Sequence, residues 1–160
     1  MSLFVVMGVS GCGKSSVAEE LARSTEGDFL DADDFHPPAN RAKMAAGIPL
    51  QDEDRWGWLD ALNAELKTRK DSTKHTFLAC SALRQVYRDR LATSLPGLRF
   101  IYLQGSKECI GSRLARRTDH FMPPALLESQ FATLEEPLDA LTVPIDQALP
   151  DVVTAILAKI

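Results

Sequence analysis

Cysteine is scarce in this 160-residue chain, and the three present, Cys12, Cys80 and Cys109, form neither a CxxC pair nor a Cys/His set with metal-ligand spacing. A disulfide framework and a structural zinc site are excluded on those grounds, and a reducing, cytoplasmic setting is expected. Long hydrophobic runs are lacking too. The first apolar stretch ends at Met7, where glycines begin, and no basic region precedes it, so it reads as a β-strand and not as a leader or membrane span. A basic stripe is also missing: 18 Lys and Arg stand against 22 Asp and Glu, a formal charge of −4, spread evenly along the chain. No nucleic-acid surface is expected, and any anionic ligand must be met by individual arginines.

What is present is an apolar fraction of 45%, ample for one buried core and hence for one domain. Short apolar runs at Leu3 to Met7, Phe29 to Leu30, Thr76 to Cys80, Phe100 to Leu103 and Leu141 to Ile145 alternate with helical patterns. That rhythm predicts an α/β fold of three layers, α/β/α, with a parallel sheet of about five strands and crossover helices. Helices are expected over Ser15 to Arg23, Asp52 to Lys70, Arg84 to Thr93, Lys107 to Arg117, Pro124 to Leu134 and Asp151 to Lys159, with a shorter one from near Ala39 that Gly47 ends. In the second of these, Trp56, Leu59, Leu62 and Leu66 line one face, so Trp56 is expected in the core and Trp58 off it.

The strongest motif is GVSGCGKS, Gly8 to Ser15, which fits G-x-x-x-x-G-K-[ST]. Gly8, Val9, Ser10, Gly11, Cys12 and Gly13 supply a loop whose backbone N–H groups curl around an anion. Lys14 reaches the β/γ-phosphates, the Ser15 hydroxyl is a Mg²⁺ ligand, and Ser16 follows in the helix. The loop leaves a strand and opens an amphipathic helix, the context the motif requires, so the chain is read as nucleotide-binding. Cys12 is either a reactive thiol at a helix N-terminus or simply a small residue that fits, and the second reading is favoured.

A loop of this kind needs a neighbouring strand to present an acid to the metal. The run FLACSAL ends in Cys80 and Ser81 and offers none; FLDAD ends in Asp31, with Asp33 on the same side two residues later. Asp34, before HPP, reads as a turn cap. A GTPase-type switch would carry NKxD, which the chain lacks.

The strings MGVSGCGKSSVA, FLDADDFHPPANRAKMAAGIPLQDEDRWGWL, CSALRQVYRDRL, FIYLQG, SRLARRTDHFMPPALLESQFATLEEP and VPIDQAL together resemble the gluconate kinases of the P-loop kinase superfamily, related in plan to shikimate and adenylate kinases. The resemblance implies ATP- and Mg²⁺-dependent phosphorylation of the 6-hydroxyl of D-gluconate, a homodimer, an acceptor region over about residues 31–70 and a lid over about 113–136. It implies that Asp31 orders the Mg²⁺ shell and that Asp33 orients the acceptor hydroxyl. His36, Arg41, Arg55, Ser81, Arg84 and His120 become candidates for binding the sugar acid, His36 being equally readable as a satisfied turn residue. Arg55 leads for the carboxylate, because an arginine opposes the dipole in a helix's first turn. Arg84 and Arg88, one turn apart, are placed to clasp an anion together, with solvated surface positions the alternative. Arg113 is expected over adenine and Arg117 at the transferring phosphate. Relative to the family the chain carries Cys12 for serine, Gln51 for asparagine, Arg84 for lysine and Asp119 for glycine.

Overall fold

The computed structural model describes residues 1–116 and 124–160. Five parallel strands, β1 (Leu3–Met7), β2 (Asp28–Asp31), β3 (Thr76–Ala79), β4 (Arg99–Gln104) and β5 (Leu141–Pro144), lie in the order β2-β3-β1-β4-β5. Each expected strand is present, within a residue or two of its expected ends. Every residue of the central β1 is buried, as a strand covered on both faces requires. Alternation divides them: Phe4 and Val6 face one core with Val17, Leu21, Val153 and Ile156, while Leu3, Val5 and Met7 face a second with Leu59, Leu62, Leu66 and Leu91.

The first core is roofed by α1 (Lys14–Thr25) and α7 (Leu149–Leu157), the second by α3 (Asp52–Thr68) and α4 (Gln85–Leu91). The short α2 (Pro38–Ala45) begins at a proline suited to a first helical turn, and Gly47 at φ +73° turns the chain away beyond it. Helices α5 (Lys107–Ala115) and α6 (Pro124–Thr133) pack on the first core beside β4 and β5, through Ile110 and Leu127.

α3 is set at its start by Asp54, whose carboxylate accepts from the Gln51 N–H at 2.8 Å while the Asp54 N–H donates to the Gln51 carbonyl at 3.1 Å. The expected roles of its tryptophans are exchanged. Trp58 is buried beside Leu59 and Leu62, whereas Trp56 is half-buried at the rim, beneath the Arg90 guanidinium 4.9 Å from its ring centroid. The cause is the segment after β2: a 3-10 turn, Ala32–Phe35, folds over the first turns of α3, its Ala32 carbonyl accepts from Trp58 Nε1 at 2.7 Å, and His36 stacks on the indole. A stripe counted along one helix cannot register a cover supplied by another segment.

The strand order positions the site. β2, β3 and β1 are adjacent, so the loops leaving their carboxyl ends lie side by side, with Asp31 in register with Ala79 and Ala79 in register with Val6. Open parallel sheets bind ligands at this edge.

Candidate active site

The loop after β1 is built as the sequence predicts. Gly8 (φ +153°) has no room for a side chain, since a Cβ there would meet Cys12 Sγ at 2.6 Å and the Leu103 carbonyl at 3.1 Å. Gly13 at φ +89° is the left-handed residue that turns the loop into α1, leaving the first amides of that helix to face an anion. The Gly8 N–H donates to the Ser81 carbonyl at 3.3 Å, which joins the loop to the end of β3. Cys12 is buried, and desolvation pushes its thiol up from the ordinary range despite the nearby Lys14 charge. The favoured reading of Cys12, a small residue that fits, is the one its environment supports.

The loop has a partner that local sequence patterns do not reveal. Gln130, on α6, accepts from the Ser10 N–H at 2.6 Å and donates to Ser10 Oγ at 2.9 Å. The segment after α6 is also fastened to the sheet edge. Glu135 accepts from the Gln85 N–H at the start of α4, and Glu136 accepts from Tyr102 and Gln104. Gln130→Ala removes both bonds to Ser10, and at about 1 kcal/mol each the affinity for ATP should fall about tenfold or more, read by isothermal titration with the fold intact by circular dichroism. Unaltered ATP affinity would show that the clasp does not order the loop.

Asp31 closes β2 and its Oδ1 accepts from the Asp33 N–H at 3.0 Å, so the first aspartate shapes the turn that presents the second. The Asp33 side chain is 78% exposed at the sheet edge. Arg41 is spent on the same turn, donating to the backbone carbonyls of Asp33 at 3.1 Å and His36 at 3.3 Å. His36 is 8% exposed, stacked on Trp58 with ring centroids 4.1 Å apart. Its burial lowers the imidazole pKa from the usual range, Asp33 opposing this and Arg41 and Arg55 adding to it. Asp34 is exposed, as expected of a turn residue.

Beside this corner a second cluster gathers around Tyr87. Its hydroxyl donates to Asp52 at 2.5 Å, Arg84 donates to the other Asp52 oxygen at 2.5 Å, and Arg55 Nη1 donates to the Tyr87 hydroxyl and the Leu50 carbonyl. The hydrogen bond from Tyr87, with Arg84 and Arg55 nearby, holds the Asp52 carboxyl below the usual carboxylate range. Arg55 and Arg84 are therefore brought together over the Tyr87 ring. Arg88 is not part of that pair. It is 3% exposed and donates to the carbonyls of Ala82 and Glu135 and to Gln85, which corrects the expectation that it clasps an anion with Arg84 or lies at the surface. Such a role has no local signal, because its partners come from a loop and from the segment after α6.

Arg113 lies against the phosphate loop, with Nη1 4.0 Å from where a Gly13 Cβ would sit, and it donates to the carbonyls of Ile145 and Gln147 beyond β5. Arg117, Asp119 and His120 lie outside the described residues.

A parallel sheet in the order 2-3-1-4-5, with a GxxxxGKS loop leaving its central strand and carboxylates beside it, defines a P-loop phosphotransferase domain. Residues 3–137 match the family described as an AAA domain. The chain is 46% identical over 157 residues to the thermoresistant gluconokinase of Escherichia coli K12, covering 96% of this chain and 90% of that one. A crystal structure of a gluconokinase from Sinorhizobium meliloti 1021 superposes with a TM-score of 0.89 at 44% identity, over 98% of this chain and 90% of the other. Shikimate kinase from Aquifex aeolicus vf5 shares the fold at a TM-score of 0.60 and 16% identity, over 98% of this chain and 94% of that one. The chain belongs to the gluconokinase family of P-loop kinases.

Proposed function

We propose that this enzyme transfers the γ-phosphoryl group of ATP to the 6-hydroxyl of D-gluconate, giving 6-phospho-D-gluconate and ADP. The observation that carries the reading is the adjacency of the phosphate loop and the exposed Asp33 carboxylate on neighbouring strand ends, inside a chain 46% identical to a gluconokinase. Lys14 and the amides from Gly11 to Ser16 hold the triphosphate. Asp33 accepts a hydrogen bond from the acceptor hydroxyl and aims its oxygen at the phosphorus. Because the transition state of phosphoryl transfer is loose, the hydroxyl needs little deprotonation early, and aim outweighs basicity.

Ser15 and Asp31 form a hard oxygen donor set of one hydroxyl and one carboxylate, which suits Mg²⁺, a cation that keeps several waters and takes few protein ligands. When bound, Mg²⁺ neutralises charge on the β- and γ-oxygens. One Asp31 oxygen is already committed to the Asp33 N–H, so the other is the one available to the metal's water shell.

For the sugar carboxylate, Arg55 is the first choice. Among the described residues its hydrogen bonds leave only from Nη1, so its Nη2 edge is open to a planar anion, with Arg84 across the Tyr87 ring. Ser81 and Arg41 stand at the same edge, the latter through the turn it clamps. Family resemblance adds Arg113 beside the base, Arg117 at the transferring phosphate and His120 near the acceptor, on an arm over about residues 113–136 that acts as a lid. A homodimer in the cytoplasm belongs to the same proposal. No helix among the described residues is long and apolar enough to cross a membrane.

The test is the product. After incubation with ATP, Mg²⁺ and gluconate, phosphorus coupling to the protons on carbon 6 supports the proposal; phosphate on another carbon, or none, refutes it.

A further inference from the structure

His36 is one of three histidines in the chain, and its ring is fixed from one side. The Asn40 amide nitrogen lies 2.8 Å from the Asp54 carbonyl and 3.2 Å from His36 Nδ1. A carbonyl oxygen only accepts, so the Asn40 atom facing it must be the NH₂ group, which settles the amide's orientation. That group's second hydrogen points at His36 Nδ1. Nδ1 must then be the acceptor, and in a neutral imidazole the hydrogen resides on Nε2. Nε2 is the atom that faces Asp33, 3.9 Å from its Oδ1, in a ring whose side chain is 5% exposed and pinned flat against Trp58.

We propose that His36 is a positioning residue for Asp33: the Asn40 amide locks its Nε2–H tautomer, and that N–H holds one carboxylate oxygen so that the other points at the acceptor hydroxyl. This rests on the reading of Asp33 given under Proposed function. At 3.9 Å the contact is not yet a hydrogen bond, and the exposed Asp33 side chain has freedom about χ1 and χ2 to shorten it. A carboxylate left free at 78% exposure samples several rotamers, and fixing one oxygen removes that freedom before the acceptor arrives. Burial lowers the His36 pKa and so favours the neutral ring, which supplies a directional donor without a competing positive charge. The charged groups facing it are Asp33, Arg41 and Arg55. The sequence carried a trace of this arrangement, His36 and Asn40 standing four apart across the start of α2.

Two measurements test it on the full-length protein. Long-range proton–nitrogen spectra of the ligand-free enzyme, with His36 assigned by its loss in H36Q, should show a bare Nδ1 and a protonated Nε2 at neutral pH. The opposite tautomer or a charged ring overturns the proposal, and this readout is independent of any substrate. The kinetic arm compares three variants with ATP and gluconate. His36→Gln places an amide nitrogen near the Nε2 position and should retain kcat within a few-fold. His36→Asn and His36→Phe lose that donor, the second while keeping the stack on Trp58, and should drop kcat about 10- to 100-fold with KM for gluconate little changed. Equal losses for all three, or a rise confined to the gluconate KM, would make His36 a packing residue or a direct sugar ligand and overturn the positioning role. If wild-type enzyme ignores gluconate, the functional proposal fails while the tautomer measurement still stands or falls by itself.

Discussion

Asp33→Asn is expected to lower kcat by about 10³-fold, within the range by which a positioned acid or base contributes, while ATP affinity and thermal stability stay at wild-type values. The asymmetry follows from location. The Asp33 side chain is 78% exposed and packs against nothing that folding depends on, so its shape-matched amide leaves the core untouched. Its backbone, clamped by Asp31 and Arg41, is unaffected by the change. What disappears, on the proposed reading, is a carboxylate that accepts from the sugar hydroxyl and orients it. An amide presents one oxygen and one NH₂ group, and the wrong half donates toward the hydroxyl. Turnover within about twofold of wild type would remove Asp33 from the mechanism.

The second large effect is on stability. Arg88→Met keeps much of the buried stem but deletes a guanidinium that donates to the Ala82 carbonyl, the Gln85 side chain and the Glu135 carbonyl. Bonds from a charged donor are worth about 1.5–3 kcal/mol each, and two of these acceptors are carbonyls left without that partner, so a net loss of about 4 kcal/mol is expected. For a domain of this size that is a fall in Tm of roughly 10 °C. Arg90→Met is the control: its pair with Asp60 is exposed on both sides and, together with the guanidinium's contact over the Trp56 ring, should cost at most about 1–2 kcal/mol. Equal shifts for the two variants, measured by differential scanning calorimetry, would contradict the structural role given to Arg88. Because Arg88 ties the loop after β3 to the segment after α6, its loss should also loosen the anchorage of Gln130 on the phosphate loop.

Much of this molecule is legible without coordinates, and the reason is local encoding. The five strands are short apolar runs bounded by turns, and the phosphate loop is a contiguous string in which glycines and Lys14 carry the chemistry. Asp31 and Asp33 follow from alternation at a strand end. The parts that escape are made by segments meeting across the chain. Trp58 is buried because the turn after β2 covers it, Arg88 because two distant carbonyls converge on it, and Gln130 reaches Ser10 from 120 residues away. The sequence singled out Arg55 and Arg84 as candidates but not Tyr87, whose hydroxyl and ring bring the two together, since a tyrosine on a helix face reads equally well as core.

The acceptor corner also bears on selectivity. Asp31, Asp33 and Asp34 concentrate negative charge where a second nucleotide's phosphate would have to approach, which disfavours a nucleoside monophosphate and leaves a neutral hydroxyl as the group presented there. Arg55 and Arg84 gather over the Tyr87 ring, and on the proposed reading they meet the carboxylate of a sugar acid whose hydroxyl lies at Asp33.

The most direct test is ADP release by the purified enzyme with ATP and Mg²⁺, measured against a panel of gluconate, shikimate, related sugar acids and nucleoside monophosphates. Gluconate should raise the rate far above the acceptor-free background and above every other compound in the panel. A rate indifferent to gluconate, or one driven harder by a nucleoside monophosphate, would contradict it.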